Sequence, residues 1–518
     1  MPNRSSDILF LLIHSLAKAE KRHFKLFITR NSSNENLKIV QLFNAMDKLQ
    51  EYDEKALLKK LPDTTKSQLS NLKTYLYKQV LASLRLLKST DSIDLQLNEQ
   101  FDYAHILYKK GLFLQSLRLL EKAKENARMH QKFHFLTQVI GLEKRIESLH
   151  ITESMQDRAE SLSEEAVIVS SHIDMVAKLS NLALRLYSWY IKNGHSRDKK
   201  DEATVTLFFK TNLPPHAHKQ EGFFERLYLY QSFSWYAFIR QDFLMYYRYA
   251  QKWVDLFNEQ PIMKRVETGH YIKGLHNLLN AHFDLHNHQK FEVTISEFEA
   301  FAQTSRVQDN DIFRVQSFLY ITQAKINQHF MLGTFSNGLA LVPAIEEKLI
   351  EYALFIDIHR VMVLNYKIAM LYFGSGDYSK CIDYLHKIIH NHHQIRYDLQ
   401  CYARVLHLLA HYELGNYELM DSLTKSVYRF MAKKKNHTKV EEEMFKFLRH
   451  SFTIAHHQVK PELVLLLKKI KGFEKNRFET RTFAYLDIVS WVESKVIGQP
   501  LHTIIEQKHT ARKHRVYK

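Results

Sequence analysis

Residues that break helices are scarce in this chain. Thirteen glycines and eight prolines stand among 518 residues, about a third of the roughly 12% that average usage would give. An all-β fold needs many tight turns, and many α/β enzymes need glycine loops; this supply serves neither. Long helices with sparse punctuation need few of either, so the chain is expected to be all-α. With 45% apolar residues it has ample material for a core.

The few glycines recur in one setting. In LYFGSGDYSKCIDYLHKI (371–388), Gly376-Asp377-Tyr378 follows the helically spaced run RVMVLNYKIAMLYF and precedes Cys381, Leu385 and Ile388. A phosphate loop would need a strand leading in and a Lys-Ser/Thr ending, and the sequence has neither here. The small residues Ala369 and Cys381 instead let two antiparallel helices approach. Gly376 suits the exit from the first helix, and Tyr378 plugs the hairpin end. The pattern returns at Gly415-Asn416-Tyr417, at Gly333 with Phe335, at Gln241-Asp242-Phe243, before Phe291, and at Gly111 with Phe113. A further turn is expected near Asn193-Gly194. Spacings of roughly 40–48 residues predict stacked helix pairs, a solenoid.

Ala369, Tyr372, Gly376, Asp377, Tyr378 and Cys381, in that order, resemble the tetratricopeptide-repeat superfamily, with weaker matches headed by Gly415 and Gly111. The resemblance spans about residues 97–430. The spacing exceeds the family's roughly 34 residues, and most repeat-end prolines are missing. It implies a right-handed α-solenoid of stacked antiparallel helix pairs, acting by binding, with the first helix of each pair lining the concave face. On that frame the groove candidates are Tyr228, Gln231, Trp235 and Phe238; Tyr320, Gln323, Asn327 and Phe330; then Tyr366, Met370, Phe373, Tyr402 and Tyr412. Such aromatics suit peptide capture. The competing reading is ordinary packing between helices.

Around the repeats the chain divides into a helical N-terminal region (1–90), the repeats (97–430), C-terminal helical pairs or a cap (431–500), and a basic tail (501–518) expected to fray or to fold on a partner. Breaks are expected at TRNSSNEN (29–36) and STDSIDLQ (89–96), and loops at TNLPPHAHKQEG (211–222) and AKKKNHTK (432–439). Pro343 predicts a kink or a later helix start. The segment ILFLLIHSLAKAE imitates a secretion signal, with Arg4 before it and Ala17-Lys18-Ala19 like a cleavage site. However, Asp7 and His14 interrupt it, and its stripe of Leu9, Leu12, Ile13 and Leu16 runs on to Phe24 and Phe27. That reads as one amphipathic helix from Asp7 to Phe27.

The formal net charge is +17, with 30 histidines in reserve. An acidic partner is expected, and mild acid is expected to strengthen its binding. The expected partner is a protein or peptide of acidic character. Nucleic acid is the alternative, through residues 53–76, DEKALLKKLPDTTKSQLSNLKTYL, which resemble a helix-turn-helix. There a capping box at Thr65–Gln68 would start a helix carrying Lys66, Gln68, Asn71 and Lys73 toward phosphates or base edges; the bland reading is a cap on the array. Histidines cluster at His282, His286 and His288 and at His386 and His390, without zinc-motif spacing, so no metal is expected. There is no nucleophile elbow, P-loop or kinase set, and neither cofactor nor catalysis is expected. Two cysteines, Cys381 and Cys401, fit a reducing compartment. No unbroken apolar run is long enough to span a bilayer. A cytoplasmic binding scaffold is the expectation.

Overall fold

Eight helix ends among the described residues close in one way. Each ends on a residue in the left-handed backbone region: Gly111, Gln131, Gln241, His286, Gly333, Gly376, Gly415 and Gly498. The N–H of the next residue then reaches back to a carbonyl five positions earlier, as in Asp242 to Ala237 (3.0 Å), Thr334 to His329 (3.1 Å) and Asp377 to Tyr372 (3.0 Å). This satisfies a carbonyl that the helix end would leave without a partner. Asp242, Asn287 and Asp377 go on to cap the following helix, accepting from the backbone N–H three residues on at 3.0, 3.3 and 3.0 Å. From Gln241 to Gly415 these turns fall 45, 47, 43 and 39 residues apart.

The two glycines of LYFGSGDY serve different ends. Gly376 has φ 91°, a conformation that side-chain-bearing residues rarely adopt. Gly374 has ordinary helical backbone, but a Cβ there would fall inside the ring of Phe335 from the preceding turn. One glycine is conformational and the other is a packing requirement.

The computed structural model describes residues 7–30, 34–62, 64–88, 92–149, 157–390, 396–433, 438–451, 453–480, 483 and 487–516. Of the predicted breaks, residues 31–33, Asp63, 89–91 and 434–437 lie outside the described residues. The described residues form helices and no strand. The helices are α1 Ile8–Ser15, α2 Lys18–Thr29, α3 Asn34–Asp47, α4 Glu54–Lys60, α5 Lys66–Leu87, α6 Ile93–Lys109, α7 Phe113–Met129, α8 Phe133–Leu149 and α9 Arg158–Asn193. They continue as α10 Lys199–Asn212, α11 Phe223–Ile239, α12 Phe243–Glu259, α13 Ile262–Val266, α14 Thr268–Asp284, α15 His288–Ala302, α16 Ser305–Gln308, α17 Asp311–Leu332, α18 Phe335–Gly338 and α19 Val342–Glu351. The last are α20 Ile358–Ser375, α21 Tyr378–Ile389, α22 Tyr397–Glu413, α23 Tyr417–Lys433, α24 Lys439–His450, α25 His456–Phe473, α26 Arg477–Thr480, α27 Ile488–Ile497 and α28 Leu501–Val516. They fall into two compact units, one ending at Val169 and one beginning at Ser170.

In the first unit, Leu9, Ile13, Phe24, Phe43, Leu69 and Val80 share a core. The single helix expected from Asp7 to Phe27 is two helices. Leu16 is extended, and the Ala17 N–H donates to the Glu20 carboxylate at 2.9 Å, starting α2 afresh. Lys124, buried between α7 and α8, is neutralised by Glu143 at 2.5 Å and Glu165 at 3.1 Å.

In the second unit α14, α17, α20 and α22 are successive neighbours. The helices α12, α15, α21 and α23 pack beside their respective partners. Pro343 stands in the first turn of α19, so of the two expectations a later helix start is realised. The row returns to its beginning. A Cβ on Gly194 would lie 3.7 Å from Asp398, and the Arg396 guanidinium lies 5.6 Å over the Tyr190 ring. Glu202 binds both Arg240 at 2.8 Å and Arg477, 275 residues further on, at 2.5 Å.

The basic tail, expected to fray, is instead the helix α28, packed on α17, α20 and α27. Lys508 bonds Glu493 at 2.6 Å and Ser490 at 2.7 Å, and the His509 ring lies 5.0 Å from His288. Among the described residues one helix, α9, meets the length and apolarity needed to cross a membrane, with a mean hydropathy of 1.2. Asp174 and Lys178 lie within it, and there is no clear membrane span.

Candidate binding site

Polar and aromatic side chains meet where α9, α11, α14, α17 and α20 face one another, and α14 supplies the centre. Its Lys273, His276, Asn280 and Asp284 recur at three- and four-residue spacing, one stripe along the helix. Tyr271, Ile272, Leu275, Leu278 and Leu279 belong to the core. The α14 segment contributes no groove candidate to the sequence reading, because a polar stripe at helical spacing resembles a solvated outer face.

Lys273 lies against ring faces. Its Nζ is 5.6 Å from the Tyr187 centroid and 5.9 Å from that of Trp235. The two rings lie 5.1 Å apart. No carboxylate or hydrogen-bond acceptor among the described residues meets this Nζ. Burial lowers the Lys273 pKa, and the Arg360 charge lowers it further. Arg360 itself is paired with Asp357 at 3.2 Å.

His276 stacks on Tyr320, with centroids 3.8 Å apart and planes 11° apart, and its Nε2 accepts from Asn280 at 3.1 Å. Gln231 donates in the same way to Nδ1 of His270, at 3.1 Å. Burial, reinforced by Lys367 and Lys273, pushes His276 down to about 3. Burial also pushes His270 and His359 down to about 4, with Lys273 adding to the first and Arg396 to the second. The expectation that histidines add charge in mild acid therefore fails on this face, where these three stay neutral to about pH 4.

Lys367 donates to Asn327 Oδ1 and lies 5.6 Å over the Phe330 ring. Burial lowers it to about 8, partly opposed by Asp284. The Asp284 carboxyl is raised by burial to about 7, against the pull of Lys367. The two are not in ion-pair contact. Where Lys273 approaches the outside, an open cleft of about 310 Å³ is lined by Glu267, His270, Lys273, Phe313 and Gln316.

The predicted groove residues divide. Tyr228 is edge-on to His270 at 5.8 Å, and Gln231, Trp235, Tyr320, Asn327 and Phe330 meet the α14 and α20 polar groups directly. Phe238 joins Tyr190 at 5.1 Å. Tyr366, Phe373 and Tyr402 are core residues, 5%, 2% and 2% exposed. Gln323 is buried, Met370 packs partly buried against the core, and Tyr412 lies 5.9 Å from Trp491 near the C-terminal helices. Besides the α14 stripe, the sequence reading missed Tyr187, Arg360 and Lys367.

The nucleic-acid candidates lie at the start of α5, whose predicted capping box is present: Thr65 N–H donates to Gln68 Oε1 at 2.9 Å, and Gln68 N–H to Thr65 Oγ1 at 3.3 Å. Gln68 is thereby engaged. Lys73 is paired with Asp7 and donates to the Tyr52 hydroxyl at 2.8 Å. Asn71 is exposed, and Lys66, also exposed, bonds Glu54 at 3.1 Å. Among the histidines, His386 and His407 touch through Nε2 atoms 3.1 Å apart. No group of three or more potential ligands among the described residues is placed to hold a metal ion.

No family model and no curated protein matches the chain.

Proposed function

We propose that the helix pairs form a right-handed tetratricopeptide-like solenoid serving as a non-enzymatic protein-interaction scaffold. Its inner face captures an acidic segment of a partner protein. The observation that carries this reading is Lys273, a cation with no acidic partner, set over the adjacent rings of Tyr187 and Trp235 where the inner helices meet. Aromatic rings bury area at low entropy cost. The net charge of +17 draws an acidic partner from a distance. We assign the scaffold to the cytoplasm on its sparing use of cysteine, two residues in 518.

The test is affinity purification of the tagged native protein near physiological salt, with and without nuclease, followed by binding measurements on the recovered partner. Trp235→Ala is expected to weaken capture by about tenfold or more, as for a central aromatic anchor, while helical content stays unchanged. Equal affinity in Trp235→Ala removes this face from the reading. Loss of every partner on nuclease digestion moves the function to nucleic acid and to α5.

A further inference from the structure

Two stretches of the second unit carry histidines at helical spacing. CIDYLHKIIH (381–390) places His386 in α21 and His390 at its C-terminal cap, and ARVLHLLAHYE (403–413) places His407 and His411 in α22. Residues four apart share a face of a helix. The two helices pack against each other, and there the two pairs meet. Ring centres run 5.0 Å from His390 to His386, 5.1 Å from His386 to His407 and 4.5 Å from His407 to His411.

Several histidines elsewhere in the protein meet an oxygen: His14 the Met46 carbonyl at 3.0 Å, His23 the Ser83 hydroxyl at 2.9 Å, His195 the Phe238 carbonyl at 2.8 Å. His386 and His407 instead meet Nε2 to Nε2, 3.1 Å apart. By itself the pair holds when one nitrogen donates its proton to the other. The same separation suits a shared metal ion. With metal–nitrogen bonds of about 2.0–2.1 Å and an angle of about 90–110° at the ion, two imidazoles hold their nitrogens roughly 2.8–3.4 Å apart and their ring centres roughly 4.5–5.3 Å apart. The observed 3.1 Å and 5.1 Å both fall inside those ranges. Entry of the ion requires a change of tautomer, so that both Nε2 atoms present lone pairs.

The flanking rings are not equivalent. Nδ1 of His390 lies 3.2 Å from the His386 carbonyl oxygen, which can only accept, so neutral His390 keeps its lone pair on Nε2. A carbonyl holding the far N–H is a common support for a metal-binding imidazole. His411 accepts from the Asn416 amide at 2.9 Å through Nδ1, which leaves its proton on Nε2 and makes it a neighbour rather than a ligand. His386 and His390 are exposed and His407 is half-buried, so water and ions reach the pair. Burial, with the other three histidines and Arg404, pushes His407 down to about 3, which keeps it neutral at physiological pH.

The charges around the rings select the kind of ion. Arg404, one turn before His407, opposes any cation; it lies 3.8 Å over the Phe430 ring and donates to the carbonyls of Gln400 at 3.0 Å and Ile389 at 3.3 Å. Lys387, beside His386, lies 3.5 Å from Glu346, and Asp383 lies 3.8 Å from Lys380. The C-terminal end of α21 adds a partial negative charge. No carboxylate among the described residues contacts any of the four rings. Mg²⁺ and Ca²⁺, which take oxygen ligands, have nothing to hold them here, whereas imidazole nitrogens suit Zn²⁺, Cu²⁺ and Ni²⁺.

We propose that His386 and His407 form a two-histidine site for a divalent transition-metal ion, Zn²⁺, Cu²⁺ or Ni²⁺, which clips α21 to α22 with water in its remaining positions. No three ligands stand assembled among the described residues, so the site is open to solvent and to a further ligand, His390 being the nearest ring with its Nε2 lone pair available. None of these residues contributes to the inner face, so the site stands or falls apart from partner capture.

The experiment is equilibrium dialysis of the full chain against Cu²⁺ and against Zn²⁺, in wild type, His386→Gln, His407→Gln and His134→Gln, the last an exposed histidine of α8 in the other unit. One ion per chain is expected to bind most tightly. Its affinity should fall at least about tenfold in His386→Gln and in His407→Gln and stay unchanged in His134→Gln. Graded uptake in which the first two variants lose no more than His134→Gln is adventitious binding by a chain with 30 histidines, and overturns the site. A second reading needs no variant and so survives a variant that fails to fold. Electron paramagnetic resonance of wild type loaded with one equivalent of Cu²⁺ should show coupling to two or three imidazole nitrogens; coupling to one or none overturns the proposal.

Discussion

Gly374 and Gly141 both sit inside helices, yet an added methyl group meets different surroundings at each. At Gly374 it would enter the Phe335 ring, a rigid neighbour fixed by the preceding turn; at Gly141 it meets nothing within 4 Å. Gly374→Ala is expected to cost about 1–3 kcal/mol through overpacking, even though alanine is the better helix former. Gly141→Ala, exposed in α8, is expected to add roughly 0.5–1 kcal/mol. Thermal midpoints of the two variants should move in opposite directions; a rise for both would mean that Gly374 is not held by packing. The same contrast separates residues that look alike in the sequence. Trp235 and Phe373 are both aromatics placed on first helices, but Phe373 is 2% exposed and packs 5.4 Å from Tyr378. Its replacement by alanine would report on stability, whereas Trp235 reports on the inner face.

Among the elements, α28 is held more lightly than the helices it touches. Ile504 is its one buried side chain among those described, Leu501 and Ile505 pack only partly buried against the core, and polar contacts such as Lys508 to Glu493 supply the rest. Amide hydrogen exchange is expected to be at least about tenfold faster in α28 than in α27, where Ile488, Val489, Trp491 and Val492 are buried. Equal protection would mean that α28 belongs to the same cooperative block. The elements also show what was legible in the sequence and what was not. The turns were, because Gly376-Asp377-Tyr378 and its relatives carry the left-handed residue, the helix cap and the plug in three consecutive positions. The turn at Gln131 was missed, since nothing in Gln131-Lys132-Phe133 advertises a positive φ. The α1–α2 break was missed because Leu16 and Ala17 suit a helix, and it is the extended backbone of both that ends it there. The inner face was legible where aromatics mark α11 and α17. It was not legible in α14 and α20, because what makes Lys273 and Lys367 interior is the position of neighbouring helices and of the far end of the chain.

For the second unit as a whole, the feature to test is its closure. Glu202 ties α10 to Arg240 at the end of α11 and to Arg477 in α26, and its side chain is 14% exposed. Glu202→Gln leaves both guanidiniums without that carboxylate and is expected to cost about 1–2 kcal/mol, between the values for surface and buried pairs. Hydrogen exchange should quicken in α10 and α26 together while α14 and α17 keep their protection. Quickening in α10 alone would mean that the far end contributes nothing to holding the near one.

Closure also sets an order in time. On a ribosome, Lys273, Arg360 and Lys367 emerge before Arg477, so the lysines exist for a period in a nascent array whose ends have not met. During that interval Glu202 lacks its far-end partner, so the second unit cannot complete its closure until nearly the whole chain has been made.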